Sequence, residues 1–228
     1  GSQTAGRGRF NRRWVSPPNE NVYASFAVKN FPHPIHKASW IGSLAVLDAF
    51  AVLFPDLSVW LKWPNDIYCG ERKIAGLLCE GVAGRQGFDG AVIGIGVNIN
   101  MPAEATEAID QPATSVLRET GTAADLNSFI ATLHECLIRR YIDGIVALNS
   151  LYEEWKKRNF ILGRRIELVA GADQQVISGK VVDIGGDGEL LFDTGTAILK
   201  FFSCDVKISK NSLFEKKKKN TASFVGMP

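Results

Sequence analysis

Residues that bind metals or cross-link chains are scarce in this sequence. Among 228 residues there are four cysteines, Cys69, Cys79, Cys136 and Cys204, and three histidines, His33, His36 and His134. No cysteines stand at C-x-x-C spacing and no histidines at H-x-x-x-H, so neither a zinc site nor a disulfide framework is expected. The thiols read as reduced, three of them inside apolar runs, the usage of a cytoplasmic protein. Long apolar runs are missing as well. The longest, near residues 40–54, is interrupted by Ser43 and Asp48 and is too short to cross a bilayer. No signal peptide precedes the body, so no membrane association is expected. The G-x-x-x-x-G-K-[ST] phosphate loop is absent, and GIGVNI at 94–99 ends in Ile99 where a dinucleotide fingerprint needs glycine. Internal repeats are absent too.

Charged residues are ordinary in number, at 22%, and little net charge is left once its location is considered. The net charge is +2, but the segment from Lys210 onward holds five lysines and one glutamate, +4, which leaves −2 for the other 209 residues. A slightly acidic body is a poor general nucleic-acid binder, and specific DNA binding is not expected. Apolar residues make up 46% of the chain, enough for a folded core.

What is present alternates between strand-like and helix-like stretches. NVYASFAV (21–28) reads as a buried strand, HKASWIGSLAVLDAFAVLF (36–54) as a helix stopped at Pro55, and SVWLKW (58–63) as a strand halted at Pro64. DIYC and KIAGLLCEG flank Gly70-Glu71-Arg72 as a hairpin would, and DGAVIGIGVNI (89–99) is another buried strand. A loop containing Pro102 and Pro112 follows. Asp125 is placed to cap a helix whose apolar stripe is Leu126, Phe129, Ile130, Leu133, Leu137 and Tyr141, and a further helix covers about 145–157. From Gly163 the texture becomes short β-like runs between Gly- and Asp-rich turns, a small all-β barrel or sheet. The expected divisions are 1–162, 163–210 and a solvated basic tail at 211–228.

Three clusters carry candidate chemistry. QTAGRGRFNRRW (3–14) sets Arg7, Arg9, Arg12 and Arg13 around Gly6 and Gly8. Glycines let backbone N–H groups approach an anion and guanidiniums neutralise it, although a surface loop or an RNA-contacting tail has the same composition. In KWPNDIY (62–68), Pro64 biases Trp63 away from helix, so that Lys62, Asn65 and Asp66 point from a strand end into one cavity, or simply form an ordinary turn. In ERKIAGLLCEG (71–81), Lys73 opens a strand and Gly76 marks a close backbone approach, to a neighbouring strand or to a ligand.

Taken together and in this order, GRGRFNRRW, KWPNDIY, RKIAGLLCEG and GIGVNIN resemble the catalytic domain of the biotin–protein ligases. YEEWKKRNFILGRRI (152–166) resembles that family's junction into a small β-barrel, so the likeness runs from Gln3 to about Ile208. The related lipoate ligases carry an R-R-x-S-G-G-G block that is not found here. The resemblance implies an α+β fold, a mixed central sheet with flanking helices followed by an SH3-like barrel. It implies ATP-dependent biotinylation of a lysine on a biotin carboxyl carrier protein or carboxylase subunit, through biotinyl-5′-AMP, with Mg²⁺ entering on ATP and no protein-bound metal. The alternatives are a truncated or inactive biotin- or nucleotide-binding homologue and a lipoate-type ligase. A homodimer is left open.

Residue by residue, the resemblance implies catalytic positions at Arg9, Lys62, Asp66 and Lys73. Biotin falls to Gln3, Gly6, Arg7, Arg9, Lys73, Gly76, Leu78, Gly94 and Gly96. ATP falls to Arg9, Trp14, Asn65, Lys73 and Asn98. The arginine loop is expected to order over the adenylate. The likeness begins at the Gln of that loop, and no winged helix-turn-helix lies within it, so repressor function is not implied.

Overall fold

The structure, a computed structural model, describes residues 1–84, 87–170 and 175–207, without the side chains of residues 11, 87 and 88. The basic tail expected at 211–228, and the last residues expected in the small domain, lie outside the described residues. The chain forms two compact units, one of Gly1–Phe160 and one that begins at Ile161.

In the first unit five strands form one sheet: β1 (Val22–Lys29), β2 (Val59–Lys62), β3 (Asp66–Cys69), β4 (Arg72–Gly84) and β5 (Gly87–Val97). Their order is β1-β5-β4-β3-β2, and every strand pairing is antiparallel. Among the described residues, parallel character enters only through two isolated bridges, Leu61 to Asn159 and Lys73 to Ala113. The β3–β4 hairpin turns at Gly70, whose φ of 57° suits a residue without a Cβ. β1 corrects its reading as a buried strand. It is an edge strand that, among the described residues, pairs only with β5 and leaves Ser25, Ala27 and Lys29 exposed.

One face of the sheet is covered by α1 (His36–Leu53), and that helix is covered in turn by α4 (Leu126–Val146) and α5 (Leu148–Lys157). Lying between layers, α1 is apolar almost all round and buries eleven of its residues from Ala38 to Phe50. Gly42 is where it meets the sheet: a Cβ there would sit 2.7 Å from Leu77 Cδ2 and 2.9 Å from Ile93 Cγ2. Trp40 stacks against Trp155 at 5.3 Å and meets Tyr152 at a tilt at 5.2 Å between ring centroids. At the same junction Arg140 of α4 bonds both oxygens of Asp48 on α1, at 2.7 and 3.0 Å, and both oxygens of Glu154 on α5, at 2.6 and 2.8 Å. Asp48 first, then Glu154, hold the guanidinium above its ordinary pKa despite burial.

Three further readings are corrected. α4 buries Phe129, Leu133, Cys136, Leu137 and Gly144, whereas Ile130 is 40% exposed, because only one face of the helix meets α1. It runs on to Val146, so α5 starts at Leu148 rather than near 145. The proline-bearing stretch contains two short helices, α2 (Ala103–Glu107) after Pro102 and α3 (Val116–Thr120), which Ser115 caps.

The expected cap of α4 is present. Asp125 accepts bonds from the N–H groups of Asn127 and Ser128 and from the Ser128 hydroxyl. The hydroxyl bond first, then the backbone bonds, hold its carboxyl below the usual aspartate range. A depressed folded-state pKa gives stability that is present above the unfolded aspartate value and lost as pH falls through the folded one. Asp125→Ala is therefore expected to lower Tm at pH 7. Thermal scans in acid should show the gap to wild type closing, and an unchanged gap would deny the cap its charge.

The second unit is a five-stranded antiparallel sheet of β6 (Arg165–Ala170), β7 (Gln175–Ile184), β8 (Leu190–Asp193), β9 (Ile198–Phe201) and β10 (Asp205–Lys207), in the order β10-β6-β7-β8-β9. Leu168, Val181, Ile184, Leu190 and Phe192 are the fully buried side chains of this sheet. β10 was not read from the sequence. Together the units make the chain an α+β protein with two antiparallel sheets. Among the described residues no helix is long and apolar enough to cross a membrane.

Candidate active site

The sheet face opposite α1 is open. Along β5, Ala91, Ile93, Ile95 and Val97 are buried, while the alternate residues Val92, Gly94 and Gly96 are half-buried on the other side. Gly76 of β4 lies directly opposite Gly96, and Leu78 opposite Gly94. Three glycines on two adjacent strands leave a floor of bare backbone on which a flat ligand or ring can lie. In this structure the Trp14 indole lies there. A Cβ on Gly96 would come 2.6–2.8 Å from atoms of that ring, and one on Gly76 would come 3.1 Å from it.

At the end of this floor stand Lys73 and Asp66, joined Nζ to Oδ1 at 2.7 Å and only 13% and 20% exposed. Lys73 reaches the open face through a β-bulge. Ile67 pairs with Ala75 and Tyr68 with Lys73, so Ile74 has no opposite residue. In a regular strand Lys73 and Ala75, two positions apart, would share the face that α1 covers. The extra residue puts Lys73 on the open face, while Ile74 and Ala75 are both fully buried. The Lys73 ammonium also lies 5.3 Å from the centre of the Trp14 ring.

Lys62 is opposite Asp66 in the register, but its ammonium donates to the Tyr68 hydroxyl at 2.9 Å and lies 4.6 Å over that ring. Asn65 follows a cis Trp63–Pro64 bond. Its amide nitrogen donates to the Leu77 carbonyl and its oxygen accepts from Arg9 at 3.0 Å. KWPNDIY thus makes the β2–β3 turn and delivers Lys62, Asn65 and Asp66 to one edge of the floor.

The arginine loop closes over this face as a small hairpin. Arg7 bridges Arg13, Gly8 N–H donates to the Arg12 carbonyl at 2.7 Å, and Trp14 N–H to the Gly6 carbonyl at 2.9 Å. Gly6 is required by close approach, since a Cβ would lie 2.5 Å from the Trp14 carbonyl oxygen. Gln3 receives the Ser16 hydroxyl at 2.8 Å at the base of the hairpin. The loop is tied to the sheet by the Arg9–Asn65 bond, by the Trp14 ring and by an exposed Arg7–Glu80 pair at 2.9 Å. An exposed pair contributes about 0–1 kcal/mol, so the Arg7–Glu80 contact adds little to this tie.

Lys62, Asp66, Lys73, Asn65, Arg9, Trp14, Gly76, Leu78, Gly94 and Gly96 therefore share one face. Arg7 stands at its exposed rim and Gln3 at the foot of the loop. Asn98 does not join them: it is buried, donating to the Thr114 carbonyl at 3.0 Å and receiving the Asn21 amide at 3.5 Å. Glu80 and Tyr23 were not singled out from the sequence. Glu80 lies on the open face two residues beyond Leu78. Tyr23 faces Gly96 from β1 and donates to the Pro17 carbonyl at 3.1 Å, its phenol pKa raised by burial. A carboxylate continuing the alternation of β4 was the available signal for Glu80. For Tyr23 the sequence held none, because strand partners are not encoded locally. Among the described residues no three His, Cys, Asp or Glu side chains gather where they could hold a metal ion.

A model of the biotin/lipoate A/B protein ligase family matches residues 1–98. The biotin–[acetyl-CoA-carboxylase] ligase of Mycobacterium tuberculosis is 34% identical over 198 residues, which cover 85% of this chain and 71% of that protein. The bifunctional ligase/repressor BirA of Bacillus subtilis is 30% identical over 216 residues, which cover 90% of this chain and 64% of that protein. Among solved structures, the biotin protein ligase of Aquifex aeolicus in complex with biotin and ATP superposes with a TM-score of 0.76 at 25% identity, covering 91% of this chain and 87% of that one. By sequence relationship and by fold, the chain belongs to the biotin protein ligase family.

Proposed function

We propose that this chain activates biotin with ATP to biotinyl-5′-AMP and transfers the biotinyl group to a lysine of a biotin carboxyl carrier protein or carboxylase subunit. The observation that carries the proposal is the Lys73–Asp66 pair at the end of a glycine floor, under a loop of four arginines. Biotin's carboxylate and the α-phosphate of ATP are both anions, and bringing them together calls for fixed cations with little water between. Lys73 supplies the fixed charge. Gly76, Gly94, Gly96 and Leu78 accept the flat ring and apolar chain of biotin once Trp14 turns off the floor, and the released indole packs by the adenine. Arg9 and Asn65 meet the nucleotide. In the transfer step the carrier lysine's nitrogen attacks the acyl carbon, AMP leaves with the bonding electron pair, and Asp66 receives the amine's proton. Mg²⁺ enters with the nucleotide as its counterion. Biotin-dependent exchange of labelled pyrophosphate into ATP tests the proposal, and no exchange above the biotin-free control would refute it.

The place of Arg9 over the floor leads to a second expectation. Arg9→Gly removes one charge-assisted contact over the adenylate, a loss of about 2 kcal/mol, or roughly thirtyfold in retention. The variant is expected to release biotinyl-5′-AMP and to label bystander lysines, read by biotin blots of a mixture of the carrier and an unrelated protein. Labelling confined to the carrier would remove Arg9 from this role.

A further inference from the structure

We infer that Glu119, on the short helix α3 and far from Lys73 in the chain, is a positioning residue that holds the bulge aiming Lys73 at the open face. One oxygen of Glu119 takes Arg72 Nη2 at 2.7 Å and Nε at 3.2 Å, and the Thr114 hydroxyl donates to the same oxygen. Arg72 and Thr114 lie on either side of the bridge that fixes the Lys73 backbone. Lys73 N–H donates to the Pro112 carbonyl at 2.9 Å, and Thr114 N–H donates to the Lys73 carbonyl at 2.9 Å. Segment 112–114 thus serves as a short parallel partner to β4 just where β5 has ended, and it satisfies the backbone groups that the bulge would leave unpaired. Asn98 completes the frame, its N–H donating to the Ile74 carbonyl at 2.9 Å and its amide to the Thr114 carbonyl at 3.0 Å.

The side chain at 119 has to accept from two side chains at once, and a carboxylate does so. Thr114 is fully buried and Glu119 is 18% exposed, so deleting the carboxylate strands a buried hydroxyl. Segment 112–114 then loosens, both backbone bonds of Lys73 weaken, and the start of β4 frays. The ammonium remains but loses its fixed direction.

The catalytic part of the test rests on the biotin-ligase reading; the chemical part does not. Competitive acetylation with labelled acetic anhydride, read by mass spectrometry on the full chain, reports how protected Lys73 is relative to exposed Lys29. In Glu119→Ala, Lys73 is expected to react about tenfold faster than in wild type, on the scale of one lost charge-assisted hydrogen bond. Glu119→Gln, which keeps an acceptor oxygen in place, should restore most of the protection. Pyrophosphate exchange by Glu119→Ala should fall in kcat by up to about a hundredfold, the scale of effect of a displacement near 1 Å. Transfer from supplied biotinyl-5′-AMP should fall much less, a split that general destabilisation would not produce. If Glu119→Ala does not fold, the near-isosteric Thr114→Val carries the same test. Lys73 reactivity equal to wild type in a folded variant overturns the inference. Raised reactivity combined with no exchange in wild type sustains the positioning role and sinks the ligase reading instead.

Discussion

Lys73→Ala is expected to lower biotin-dependent pyrophosphate exchange by about two orders of magnitude or more, the scale seen when an electrostatic stabiliser of a reacting centre is removed. Lys73 is 13% exposed and paired with Asp66 at 2.7 Å, so its charge lies where water screens it little. An ammonium between two anions contributes more as they approach and negative charge develops on the leaving pyrophosphate than it does to either reactant alone. The loss should therefore appear in kcat more than in KM. Transfer of the biotinyl group from supplied adenylate should suffer less, since that step needs a proton acceptor rather than a cation. Removing Lys73 also leaves Asp66 without its partner. Lys73→Arg keeps the charge in a broader, planar group and should recover only part of the rate. Equal exchange rates for Lys73→Ala and wild type would reduce Lys73 to a structural partner of Asp66.

Trp40→Ala should be the most destabilising of the changes considered. Trp40 is 2% exposed, in the second turn of the largely buried α1, and it stacks on Trp155 and leans on Tyr152. Truncating a buried aromatic side chain typically costs about 3–5 kcal/mol through lost transfer energy and the cavity left behind. For a unit of this size that corresponds to a fall in Tm of roughly 6–20 °C. The cavity would open between α1 and α5, where Trp40 meets Trp155 and Tyr152. Trp40→Phe, which keeps part of the stack, should lose much less. Thermal unfolding followed by circular dichroism decides this. A Tm within 2 °C of wild type, less than about 1 kcal/mol would produce, would mean that the three-layer packing does not depend on this ring.

Local chemistry settled much of this protein before any fold was in view. A proline and two glycines punctuate KWPNDIYCGERKIAG, and the strand, turn, hairpin and strand predicted there are β2, the cis-proline turn, β3 and β4. Asp125 caps α4 as a side chain that bonds its own downstream N–H groups should. The order of the four motif blocks was enough to point to the family. Other features could not be read from neighbouring residues, because they depend on partners far along the chain. α1 is apolar almost all round, so its sequence did not reveal that the sheet lies on one side and α4 and α5 on the other. β1 looked buried because its residues are apolar, yet an edge strand keeps that composition with one side unpaired. Arg140 sits 92 residues from Asp48, and Arg9 sits 56 residues from Asn65. The direction of Lys73 is the sharpest case. Strand alternation alone sends it toward the buried face with Ala75. Only the unpaired Ile74, accommodated by backbone bonds from residues about forty positions later, turns its charge toward the glycine floor.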